Sequence, residues 1–127
     1  YVFENDDVSS IPYIDFSRDF YSNYCVEDFA INSDGELAIL GCDGIFNEFS
    51  QNGLKQKSIP VGIHNPQFMV SLRDEWFVFN SDGGYLSIYN SEKLSIPKIN
   101  PPILDIATIN RSIAILTKEQ ILVLNVK

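Results

Sequence analysis

Leu37-Ala38-Ile39-Leu40-Gly41-Cys42-Asp43-Gly44 reads as a short buried strand followed by a tight turn, and the pattern returns twice. It recurs 39 residues on as Trp76-Phe77-Val78-Phe79-Asn80-Ser81-Asp82-Gly83, and a further 37 on as Ile113-Ala114-Ile115-Leu116-Thr117-Lys118-Glu119-Gln120. Each apolar quartet is a continuous hydrophobic run closed by turn residues, the reading expected of a strand covered on both faces. Ahead of each quartet stands another strand and a tight turn: Val26 to Asn32 with Ser33-Asp34-Gly35, Gln67 to Leu72 with Arg73-Asp74, and Ile103 to Ile109 with Asn110-Arg111. No segment of more than about ten residues keeps an i, i+3, i+4 stripe, and Val, Ile, Phe and Tyr hold the apolar positions, so β structure is expected throughout.

A second repeat marks the other end of the unit. Ser-Ile-Pro occurs at Ser10-Ile11-Pro12, Ser58-Ile59-Pro60 and Ser95-Ile96-Pro97, each time after an alternating strand and a polar turn. A proline there fits a sheet edge, where no ladder hydrogen bond has to be donated. The unit is therefore four short strands, A to D, in 37–39 residues, and 13 strands are expected in all. Four-stranded units of this length describe β-propeller blades, which complete their cores by stacking on neighbours. The expected architecture is an all-β segment of a β-propeller of about three and a quarter four-stranded antiparallel blades. Residues 1–14 supply strands C and D of one blade, 26–62 and 67–99 are blades, and 103–126 is an incomplete blade. Opening and closing in mid-blade, the chain reads as part of a larger propeller. A self-standing β-sandwich is the competing fold, and the internal period argues against it.

Composition bounds the function. At 45% hydrophobic and 20% charged residues the chain is of ordinary globular type, and its 13% aromatics suit β structure. Nine of the 17 acids (Glu4, Asp6, Asp7, Asp15, Asp19, Glu27, Asp28, Asp34 and Glu36) fall in residues 1–36 beside Arg18 alone, which accounts for the net charge of −8. With no basic stripe, direct nucleic-acid binding through phosphates and adhesion to an anionic membrane are not expected. No apolar run reaches the ~18 residues of a spanning helix, so membrane insertion is not expected. A single histidine and two cysteines cannot form a Cys/His zinc site, and Cys25 and Cys42 are expected as small buried residues in neighbouring strands rather than as a bridge. No cofactor is expected.

The chemistry-bearing candidates are few. Asn32-Ser33-Asp34-Gly35 and Asn80-Ser81-Asp82-Gly83 look like calcium-loop fragments but lack the further acids, and read as hairpin turns. His64 falls in a connection beside Asn65-Pro66, without a nearby nucleophile, and is expected to face solvent. Asp6, Asp7, Asp15 and Asp19 are the acids from which a glycosidase pair would have to be drawn. Asn110-Arg111-Ser112 has the form of a glycosylation sequon. No phosphate loop, nucleophile elbow or metal box is present, and catalysis is not expected. The longest connection, residues 15–24, carries Phe16, Arg18, Phe20, Tyr21 and Tyr24, a composition that fits a protein-docking loop. The alternative for Phe16, Phe20 and Tyr24 is that, spaced by four, they tuck onto the blade tops.

The strand pattern resembles the WD40-like propeller superfamily over nearly the whole chain, in a degenerate form whose Trp-Asp and Gly-His positions hold other residues. The resemblance implies a scaffold subunit of nuclear-pore, vesicle-coat, vesicle-tethering or ubiquitin-ligase type. It implies an intracellular (cytoplasmic or nuclear) interaction platform whose partners are other protein subunits and the rest of its own propeller. A ligand-binding or hydrolytic propeller, with loops converging on a central channel, is the alternative.

Overall fold

The computed structural model describes residue 14, residues 24–97 and residues 99–126. The described residues form eleven strands and no helix. Three antiparallel sheets follow one another along the chain. Sheet I is the meander β1 (Val26–Ile31), β2 (Leu37–Gly41), β3 (Ile45–Phe49) and β4 (Lys55–Pro60). Sheet II repeats it with β5 (Pro66–Leu72), β6 (Glu75–Asn80), β7 (Gly84–Ser87) and the two-residue β8 (Leu94–Ser95). Sheet III contains β9 (Asp105–Ile109), β10 (Ser112–Leu116) and β11 (Ile121–Asn125). The expected strands of residues 1–14 lie outside the described residues.

Hairpin chemistry sets these meanders. Asn32 Oδ1 accepts the amides of Asp34 and Glu36 at 3.0 and 2.9 Å. Asn80 Oδ1 does the same for Asp82 and Gly84, at 3.0 and 2.9 Å. In the β3–β4 turn the hydroxyl of Ser50 takes the amides of Asn52 and Leu54 at 3.3 and 3.2 Å. The fourth residue of each turn is a glycine with positive φ, Gly35, Gly83 or Gly53. This is a turn closed by a left-handed residue, and the Asp-Gly sequences are hairpin turns as read. Between β5 and β6 two residues suffice, Arg73 and Asp74, both at positive φ, the backbone whose twist matches the flanking strands. Pro60 sits opposite Ile45 on the edge strand β4, as its missing N–H requires.

The sheets pack face to face. Ala38, Leu40 and Phe46 of sheet I meet Met69, Trp76, Val78 and Leu86 of sheet II in one core. Val70, Phe77, Phe79 and Tyr85 of sheet II meet Ile113 and Ile115 of sheet III in the other. Alternation along β6 therefore sends Trp76 and Val78 to one neighbour and Phe77 and Phe79 to the other, so the central sheet is buried on both sides. The repeat offsets hold in three dimensions: 38 and 40 of sheet I and 77 and 79 of sheet II face the following sheet, and 114 and 116 of sheet III lie on the side away from the buried Ile113 and Ile115. The first strands run beside one another, β1 against β5 and β5 against β9.

Two expectations need correcting. The third quartet is covered on one face only: Ile113 and Ile115 are buried, whereas Leu116 is exposed, because among the described residues no sheet lies beyond sheet III. Cys25 and Cys42 are neighbours, as expected, but they are exposed rather than buried, stand just outside β1 and β2, and form a disulfide with a Cα–Cα separation of 5.4 Å. The reason is their position across the β1–β2 ladder, where the Cys42 amide donates to the Cys25 carbonyl at 2.9 Å and sets the Cα atoms at bridging distance.

Candidate functional site

A groove of about 520 Å³ opens between sheets I and II at the end where the β2–β3 turn meets the connection from β4 to β5. Its walls include Glu27, Asp43, Val61, Ile63, His64 and Gln67. The turn is built by Gly44 at φ 79°, whose amide donates to Gly41 O at 3.0 Å. Asp43 Oδ1 accepts the Ile45 amide at 3.0 Å. The connection is pinned from both sheets: Val61 N donates to Gly44 O at 2.8 Å, and Asn80 Nδ2 donates to His64 O at 3.0 Å. The His64 ring is exposed, as expected, and its Nε2 accepts from Asn65 Nδ2 at 3.2 Å. The groove thus offers two carboxylates, an imidazole and short apolar walls, groups able to hydrogen-bond a ligand.

The disulfide closes one side of this groove, since Cys42 is a wall residue. Next to it, half-buried Tyr24 lies across sheet I, where Asn47 Nδ2 reaches its hydroxyl at 3.4 Å. A Cβ at Gly41 would collide with that hydroxyl, so glycine at this strand end makes room for the ring. Of the sequence-derived docking residues, Tyr24 is therefore held against sheet I beside the groove. Phe16, Arg18, Phe20 and Tyr21 lie outside the described residues, as do Asp6, Asp7, Asp15 and Asp19.

A polar cluster centred on the buried Glu48 joins the same two sheets. Glu48 of β3 is 5% exposed, and its Oε2 accepts from Trp76 Nε1 at 2.7 Å and from the Tyr89 hydroxyl at 3.2 Å. Burial first, and then the Glu48 charge, push the Tyr89 hydroxyl above its ordinary value. Lys57 Nζ stands 4.6 Å from the Tyr89 ring centroid, a cation over an aromatic face. A second carboxylate bridges the sheets at Asp28, whose Oδ2 accepts the Met69 amide at 2.9 Å. Neither carboxylate was singled out from sequence. The signal available for Glu48 was its place among the apolar residues of Ile45-Phe46-Asn47-Glu48-Phe49.

Asn110, the first residue of the sequon, is exposed in the β9–β10 turn with φ 54°. No protein-family model matches this chain, and no curated protein matches it either.

Proposed function

We propose that this chain is a non-catalytic protein–protein interaction platform, a degenerate WD40-like β-propeller segment of a larger scaffold subunit in a multiprotein complex. The observation that carries the reading is the stack itself: successive meanders of one repeat, face to face, with their first strands side by side. In such a stack the sheets are rigid and the turns at one end form a continuous rim on which partners dock. The groove at Asp43, His64 and Gln67 lies on that rim, with Tyr24 beside it. The partners are other protein subunits and the remainder of the same propeller.

One bond bears on the compartment. The scaffold reading carries an intracellular location with it, whereas a Cys25–Cys42 bridge persists where thiols are not kept reduced. Alkylation of the protein at the moment of cell lysis decides between them: a blocked thiol pair places it in the cytosol or nucleus, and an unreactive pair places it in an oxidising compartment.

The function is tested by affinity purification of the intact gene product, followed by mass spectrometry of what accompanies it. A stoichiometric set of subunits is expected, and Phe20→Ala with Tyr21→Ala is expected to reduce their recovery at least ~10-fold with an unchanged melting temperature. A solitary protein would overturn the scaffold reading.

A further inference from the structure

The outer face of sheet III exposes apolar side chains at positions that the other two sheets bury. Leu116 is 41% exposed and its cross-strand partner Ile121 is 67% exposed. The matching pairs are Leu40 with Phe46 in sheet I and Phe79 with Tyr85 in sheet II, and all four are buried under the following sheet. One step along β11, Val123 is 56% exposed, whereas Glu48 and Ser87 in the same register are buried.

A carboxylate makes the match more specific. Asp28 pairs across the ladder with Leu40, and Asp105 pairs with Leu116. In each, Oδ1 accepts the amide of the next residue, Phe29 or Ile106, at 2.8 Å. Asp28 then uses Oδ2 for the Met69 amide, on the first strand of the following sheet. Among the described residues, the second oxygen of Asp105 has no hydrogen-bond partner.

We propose that the outer face of β9–β11 is the docking surface for one further antiparallel sheet of this same repeat. Its first strand donates a main-chain N–H to Asp105, as Met69 donates to Asp28. Its second strand sets alternate apolar residues against Leu116, Ile121 and Val123, as Trp76 and Val78 do against sheet I. The occupant is not sheet I of a second copy, because the corresponding amide there, that of Phe29, is already taken by its own Asp28. The occupant has the character of sheet II, whose Phe68 stands opposite Phe79 where the other sheets carry aspartate. This inference rests on the stacked-platform reading and adds the face, the contact residues and the chemistry of the neighbour.

The test is thiol labelling of Val123→Cys in the intact, purified gene product, under conditions where it is monomeric, with a water-soluble maleimide and mass spectrometry of the labelled peptide. Labelling at least ~100-fold slower than in the same protein unfolded in urea is expected, and Asp105→Ala should raise the native rate several-fold while Asp105→Asn, which keeps one of the two acceptor oxygens, should raise it less. Native labelling close to the unfolded rate overturns the proposal. So does protection that appears only as concentration is raised, since that assigns the face to a second copy. An unprotected thiol in a protein that still captures its subunits would remove this inference and the larger propeller with it, and leave only the interaction platform standing.

Discussion

Asp28 shows how one residue can serve the fold at an electrostatic cost. Removing its carboxyl from water raises its pKa above the ordinary 3.8; the amides of Met69 and Phe29 pull it back, and the nearby charge of Asp105 adds to the rise. The net shift is upward, so the folded state favours the protonated carboxyl more than the unfolded chain does. Its contribution is therefore full below the unfolded value and is lost as pH rises through the folded one. The stability of the protein minus that of Asp28→Asn is expected to fall as urea unfolding midpoints are measured from about pH 3 to about pH 7. A difference that grew with pH would show that the two amides outweigh burial. The placement of Asp28 could not be read from sequence, because Val26-Glu27-Asp28-Phe29 alternates as an exposed strand would, and what buries Asp28 is the first strand of the next sheet.

At the scale of elements, the hairpins were the most readable part of the chain. An Asn or Ser followed three residues later by glycine dictates its own turn, since the side-chain oxygen takes two amides and glycine accepts the left-handed backbone. The demands on the glycines nevertheless differ. Gly83 sits at φ 99°, and a Cβ there would stand 2.9 Å from Ile99 Cγ2. Gly44, at φ 79°, has open space around it. Gly83→Ala is expected to cost about 2–3 kcal/mol and Gly44→Ala about 1 kcal/mol, by chemical denaturation. Equal costs would mean that backbone strain alone sets both. The sequence reading caught the conformation of each turn but not the Ile99 contact, which comes from the connection that follows sheet II.

For the whole molecule, the two face-to-face cores and the one disulfide carry different loads. The bridge joins residues 17 apart in sequence, so it restricts the unfolded chain more than it shapes the folded one. Cys25→Ser with Cys42→Ser is expected to lower unfolding stability by about 3 kcal/mol while leaving the far-ultraviolet circular dichroism of the folded protein unchanged. A loss of strand signal would show instead that sheet I needs the bridge to form. The turn-end groove, the Glu48 cluster and the Asp28 contact all lie between sheets I and II, so changes to the packing of that interface should reach the rim first.

Local chemistry along the chain determined the strands, their order and their turns: β-branched and aromatic runs, Asn-to-Gly hairpins, and a proline at the edge strand each act over a few residues. The period near 38 residues also makes the same positions of each second strand equivalent from one copy to the next, because alternation passes unchanged; which of the two sides faces onward came from the packing of the sheets. Only the tertiary structure decided that Cys25 and Cys42 lie close enough to bond and that Glu48 and Asp28 span an interface. It alone showed that Leu116, Ile121 and Val123 stay uncovered where their counterparts are buried. The cysteine pair depends on the β1–β2 register within sheet I; the others depend on distances between sheets, which are set by packing side chains from separate copies of the repeat and leave no mark in the spacing of residues within any one copy.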